Sequence, residues 1–296
     1  MTWPLDRASG AFGGLETEPD FATARFAVLP IPYDGSSTWQ KGADLGPAAI
    51  LEASANMELY DIETDSEPWR AGMVTMAPVT ENASPEAMAA AVESAASSLI
   101  EAGKTVVGLG GEHSVSIGLI RAQAARHPGL TVLQLDAHAD TREEYHGSRH
   151  NHACVMARAR EIARTVAVGI RSMDASEREG LDRARTIFAH EFAVDTSVHD
   201  VLELVEGPVY LTIDLDVLDP SEMPSTGTPE PGGLRYRQVV DFLRPICRRR
   251  EVVGFDVVEL MPRPHDRAPD FLAARLTYQI MAFLTAGTRR TRHEQG

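Results

Sequence analysis

The chain has 296 residues, and 43% of them are hydrophobic, which is ample for a large core and excludes a disordered segment. Its formal net charge of -15 argues against a nucleic-acid partner and suits a cationic ligand. Two cysteines give no disulfide framework, the N-terminus shows no secretory leader, and no apolar run is long enough for a membrane span, so a cytoplasmic protein is expected.

Residues 1–24 are rich in glycine, proline and acids, and read as an N-terminal arm. A first strand, Phe26–Leu29, ends at Pro30 and opens into the loop Tyr33–Ser37. Gly46 and Pro47 start a helix, because proline fits the first helical turn. Ser84-Pro85-Glu86 starts another, with Met88, Val92, Ala95 and Leu99 as its apolar stripe and Gly103 as its stop. A strand at 105–109 precedes a helix over 116–126. The strand at 131–135 runs into a long loop reaching His152, and a helix is predicted over 153–164. Further strands are predicted at 165–170, 186–189, 209–213 and 252–258, with a final helix over 270–284 and a basic tail over 289–296. No repeat or low-complexity linker divides the chain, so residues 25–288 are expected to form one domain. Strands alternating with helices predict an α/β fold, a three-layer α/β/α sandwich with a mainly parallel central sheet. In such folds ligands bind at the carboxyl ends of the strands.

Four acid-bearing segments sit at such ends. Gly110-Gly111-Glu112-His113-Ser114 follows the strand at 105–109, and Asp136-Ala137-His138-Ala139-Asp140 follows 131–135. Asp214-Leu215-Asp216 follows 209–213, and Glu259 follows 252–258. In extended backbone, side chains at i, i+2 and i+4 share one side, so Asp136, His138 and Asp140 are expected to converge, as are Asp214 and Asp216. Carboxylates gathered in this way repel one another unless a cation lies among them, which points to a metal site. With His113 the pool holds two imidazoles and four carboxylates and no thiolate. That is too many for one tetrahedral zinc and suits two ions sharing carboxylates. Hard oxygen donors favour manganese, while other divalent metals stay compatible with the ligand types. Glu112 is expected to support its neighbours rather than ligate, and Asp219, before Pro220, to cap a turn.

These motifs, with Ile213–Pro220, Asp256-Val257-Val258-Glu259 and the Ser225–Gly233 stretch, resemble the signatures of the ureohydrolases, the arginase and agmatinase enzymes, over roughly residues 25–285. Ser225–Gly233 and Gly46-Pro47-Ala48-Ala49-Ile50 look most like agmatinases. The resemblance implies an arginase-like fold, two Mn2+ ions per subunit, and a homotrimer or homohexamer. By the same match the metal ligands are His113, Asp136, His138, Asp140, Asp214 and Asp216, with Asp136 and Asp214 bridging. Catalytic roles fall to His152, Asp140 and Glu259, and substrate contacts to Glu259, Thr228 and His152.

The chemistry agrees. A guanidinium carbon is a poor electrophile, and its attack at neutral pH needs a hydroxide that a metal pair supplies. Asp140 can orient that nucleophile, and Glu259 can clamp the guanidinium through charge-assisted hydrogen bonds. The departing amine needs a proton from a titratable loop residue. Among His146, His150 and His152, the match favours His152, with His150 as the alternative. The expected reaction is hydrolysis of agmatine to urea and putrescine. The alternatives are guanidinobutyrate, formiminoglutamate or arginine as substrate, or a non-catalytic metal-dependent polyamine-binding protein. A substrate with a distal carboxylate would need a cation, for which Arg142, Arg149 and Arg263 are the candidates.

Overall fold

The computed structural model describes residues 10–15 and 19–293, with side chains as far as residue 286; the remainder of the predicted arm, the side chains of the basic tail and its last three residues lie outside the described residues. Eight strands form one sheet: β1 (Phe26–Ile31), β2 (Met73–Thr75), β3 (Thr105–Gly110), β4 (Thr131–Leu135), β5 (Arg164–Ile170), β6 (Thr186–Phe188), β7 (Val209–Asp214) and β8 (Val252–Val258). Their order is β2-β1-β3-β8-β7-β4-β5-β6, and every neighbouring pair is parallel.

Among the described residues, seven α-helices cover the two faces: α1 (Gly46–Ser54), α2 (Pro85–Glu101), α3 (Ser116–Arg126), α4 (Val155–Ala159), α5 (Val194–Leu204), α6 (Tyr236–Arg249) and α7 (Ala268–His293). Strand residues alternate between two cores. Phe26, Val28, Val107, Leu133, Leu211 and Phe255 pack with α1, α5, α6 and α7. Ala27, Leu29, Val106, Val132, Tyr210 and Val258 pack with α2, α3 and α4. Burial on both faces is why the strands read as unbroken apolar runs. The three-layer α/β/α expectation holds.

Three elements escaped the sequence reading. Strand β2 is only three residues long. Helix α5 lies in an acid-rich stretch that buries only Ser197 and Val201 along its length. Helix α6 contains Pro245, which reads as a helix breaker. Its face of Val239, Val240, Phe242, Leu243, Ile246 and Cys247 is nonetheless buried, and that packing overrides the local penalty. Helix α4 stops at Ala159 rather than 164, because Arg164 is already paired with Thr131 in the sheet. Helix α7 begins at Ala268 and its backbone continues past the predicted end to His293.

Gly111 draws three strand ends together. Its N–H donates to Ile31 O and its carbonyl accepts from Glu259 N, both at 2.8 Å. A Cβ at this position would lie 1.9 Å from Tyr33 O, a backbone atom that cannot swing aside. Gly111→Ala is therefore expected to destabilise the fold by about 3 kcal/mol, near the upper end for overpacking. Urea denaturation checks this; a midpoint unchanged from the parent chain would contradict it.

Candidate metal centre and cleft

The four central strands, in the order β3-β8-β7-β4, present His113, Glu259, Asp214 with Asp216, and Asp136 with His138 and Asp140 at one end of the sheet. The convergence is real, but its backbone differs from the extended geometry expected. The chain beyond β4 stays alongside β5 as far as His138, which bridges to Ser172. It then turns at Asp140, whose φ is +52°. Asp216 sits in a 3-10 turn over Leu215–Val217, capped by Asp214, whose Oδ1 accepts from Asp216 N at 2.8 Å. Glu259 also has positive φ, at +67°. Non-glycine residues in this region carry a cost of order 1–3 kcal/mol each, and such strain gathers at working sites.

The side chains form two overlapping clusters, His113–Asp136–Asp140 and Asp136–His138–Asp216. His113 Nδ1 lies 3.1 Å from Asp136 Oδ2, 3.1 Å from Asp140 Oδ2 and 3.4 Å from Asp214 Oδ2. His138 Nδ1 lies 2.8 Å from Asp216 Oδ2 and 3.7 Å from Asp136 Oδ1. Asp136 thus offers one oxygen to each cluster. Asp214 joins the first.

Supporting groups fix these side chains, and most were not foreseen. Gln134 Nε2 donates to Asp136 Oδ2 at 2.8 Å, and Ala137 N donates to Asp216 Oδ1 at 3.0 Å. His113 Nε2 is 2.9 Å from Thr212 Oγ1, which donates to the buried Asp256 carboxylate at 2.8 Å. Because the threonine proton goes to Asp256, its oxygen accepts from His113 Nε2–H. That points Nδ1, which has no hydrogen-bond partner of its own, at three carboxylates. Burial opposes charge there, yet Asp136 and Asp140 outweigh it and raise this imidazole well above its ordinary range. A cation in their midst would take the proton's place and meet the Nδ1 lone pair. Lone pairs opposed in this way fit a cation between them. The same pressure shows in the titrations. Burial, followed by the neighbouring Asp136, pushes the Asp140 carboxyl up to about 7. Burial and Asp216 raise Asp214 well above the carboxylate range. Burial opposes charge on His138, yet Asp216 and Asp136 outweigh it and hold the imidazole at about 12. A buried, acid-rich donor set that recruits protons so strongly fits divalent ions.

A cleft of about 190 Å³ opens over the cluster, lined by His138, Asp140, Asp214, Asp216, Glu259, His152 and Thr228, among others. Glu259 Oε1 accepts from His113 N at 2.8 Å. His152 faces the cleft; burial and then the fields of His113 and His138 push its imidazole down to about 4, so it is neutral at pH 7. His150 does not line the cleft: its Nε2 is 2.9 Å from Arg121 Nη2 and its Nδ1 is 3.5 Å from Glu86. Glu112 is fully buried and serves its neighbours, accepting from the N–H and hydroxyl of Ser114 at 2.8 Å each. Asp219 caps its turn by accepting from Ser221 N, Gly232 N and Gly233 N.

Of the three candidate arginines, only Arg142 lines the cleft. Its guanidinium stacks 4.2 Å from the Tyr145 ring, and its Nε is 3.5 Å from Glu177 Oε2. Asp174 lines the same outer part, with its carboxyl held low by the Ser176 hydroxyl and backbone and, more weakly, by Arg142. Arg149 is paired with Glu161 at 2.7 Å, and Arg263 lies in a tight turn whose backbone N–H at Asp266 donates to the Arg263 carbonyl.

A family model described as the arginase family matches residues 24–283. The chain is 37% identical to the N(1)-aminopropylagmatine ureohydrolase of Synechocystis sp., over 98% of this chain and 99% of that one. It is 40% identical to the enzyme of the same name from Thermus thermophilus, over 90% and 92% of the two chains. Among solved structures, the agmatine ureohydrolase of Thermoplasma volcanium superposes with a TM-score of 0.86 at 29% identity, covering 96% of this chain and 97% of that one.

Proposed function

The chain belongs to the arginase family and is a ureohydrolase, and from that premise we propose a linear guanidinoalkylamine as its substrate. Agmatine would yield urea and putrescine; an N(1)-aminopropylagmatine would yield urea and a longer polyamine. The observation that carries this reading is the charge of the cleft. Glu259 waits beside the metal cluster for the guanidinium. Farther out, Asp174 and Glu177 outnumber the single guanidinium of Arg142, so the outer part is net negative and suits an amine. The names of the relatives point the same way.

In this reading His113, Asp136, Asp140 and Asp214 would hold one divalent ion, and Asp136, His138, Asp214 and Asp216 a second. Oxygen-rich donors with some imidazole suit manganese. Such a pair, when bound, lowers the pKa of a coordinated water to near neutrality. Asp140 accepts a hydrogen bond from the attacking water and aims it at the guanidinium carbon. Glu259 fixes the guanidinium by charge-assisted hydrogen bonds, and Thr228 borders the bound substrate. His152, neutral at rest, would take up through Nε2 the proton released by the attacking water and pass it to the departing amine nitrogen as the C–N bond breaks. Assembly as a homotrimer or homohexamer belongs to the same reading, and light scattering measures it.

Arg142 supports one second reading, a guanidino acid such as guanidinobutyrate whose carboxylate it would bind. Manganese-loaded protein is to be assayed with agmatine, N(1)-aminopropylagmatine, arginine, guanidinobutyrate and formiminoglutamate, following urea, formamide and amine. Urea from the first two, at kcat/KM at least about 100-fold above guanidinobutyrate, is expected from buried charge complementarity. A preference for guanidinobutyrate would replace the amine reading by the acid one.

His152→Ala is expected to lower kcat by about 10²- to 10⁴-fold, the range for general acid–base groups, with metal stoichiometry unchanged. Turnover at the level of the parent chain would remove His152 from the reaction.

A further inference from the structure

Ser36 lies in the loop after β1, far in sequence from the residues of the metal cluster and from His152; Gly111, which packs against Tyr33, brings this loop to the end of β3. Its hydroxyl donates to Glu112 Oε1 at 2.8 Å. The same oxygen accepts from His152 N at 2.9 Å and lies 3.1 Å from His152 Nδ1. Glu112 is committed as an acceptor, because Ser114 N, Ser114 Oγ, Ser36 N and Ser36 Oγ all donate to it.

We propose that Ser36 is a positioning residue that holds His152 as the Nδ1–H tautomer, with its ring turned so that the Nε2 lone pair serves the cleft. The argument is one of proton counting. A serine hydroxyl has one proton and two lone pairs. The proton is taken by Glu112, so the oxygen meets His152 Nδ1 only as an acceptor, and Nδ1 must carry hydrogen. The neutral imidazole then has its basic nitrogen at Nε2 alone. A second tether, from His152 N to the same oxygen, fixes the backbone beneath the ring. Burial of the Glu112 carboxylate keeps water from competing for the serine proton. Without Ser36 the ring is free to rotate and to exchange tautomers, and only part of the population has the basic nitrogen where a proton is needed.

The inference rests on His152 as the proton carrier, and the test separates the two. Ser36→Ala, Ser36→Thr, His152→Ala and the Ser36→Ala/His152→Ala double variant are to be assayed on agmatine. Ser36→Ala should lower kcat roughly 10- to 100-fold, the size of effect expected from a misplaced catalytic group, with KM within about twofold. Ser36→Thr, which keeps the hydroxyl, should recover most of that loss. In the double variant, losing Ser36 should cost nothing beyond the loss of His152, because the serine acts only through that ring. An unchanged kcat in Ser36→Ala beside a crippled His152→Ala overturns the proposal and leaves the role of His152 standing. Losses that add in the double variant, or a threonine that fails to rescue while melting like the parent chain, also overturn it. An unimpaired His152→Ala overturns both.

Discussion

Replacing Asp136 by alanine is expected to abolish turnover, with kcat falling by at least about 10³-fold. The carboxylate has one oxygen 3.1 Å from His113 Nδ1 and the other 3.7 Å from His138 Nδ1, so it belongs to both clusters found among the described residues. In the proposed two-ion centre its loss would remove a ligand from both ions at once, and the metal contribution to transition-state charge amounts to several kcal/mol, or thousands-fold in rate. It also orphans two donors that now end on Asp136, Gln134 Nε2 and His138 N. Elemental analysis of the purified variant should find fewer than two divalent ions per chain, and circular dichroism should show the fold retained. A variant that keeps two ions and parent-like turnover would remove Asp136 from the centre.

Glu259→Gln should lower kcat/KM on agmatine by roughly 30- to several-thousand-fold while leaving metal content intact. The substitution keeps an oxygen to accept from His113 N, so the loop after β3 stays in place. What it removes is the negative charge opposite the guanidinium, and breaking a buried charged pair costs about 2–5 kcal/mol. The carboxyl is held well above its ordinary range by burial and by Glu112, so an anionic Glu259 is poised to gain from a cation beside it. If the variant binds and turns over agmatine like the parent chain, the guanidinium clamp lies elsewhere. If it loses metal instead, Glu259 supports the centre rather than the substrate.

Much of this site was legible in the chain. A run of apolar residues that ends in an acid is a strong signal in a parallel sheet, because both faces are buried and the polar residue can only stand at the end. That logic located Asp136, Asp214, Glu259 and the segment carrying Glu112, and the sheet that carries them; His113 was added as that segment's imidazole. The alternation argument was less sound. It brought Asp140 and Asp216 to the right place through the wrong geometry, because a left-handed residue and a 3-10 turn take over where the strand hydrogen bonds end. The supporting residues Gln134, Thr212 and Asp256 were missed because each lies inside or at the end of an apolar run. A lone polar residue there gives no sign of what it faces.

The alternation of most strands and helices, the parallel sheet and the acid-bearing strand ends follow from sequence alone, because period, burial and chain direction are local properties that residue types record directly; the choice of His152 came from the family resemblance. Strand order, and with it the pairing of β8 between β3 and β7, was decided only by tertiary packing. So were the placing of His150 against Arg121 and away from the cleft, the position of Arg142 alone among three arginines in the cleft, and the meeting of Ser36 with His152 across 116 residues. Each of these depends on which backbone atoms touch across the fold, and contacts between distant segments leave no periodic trace in either one.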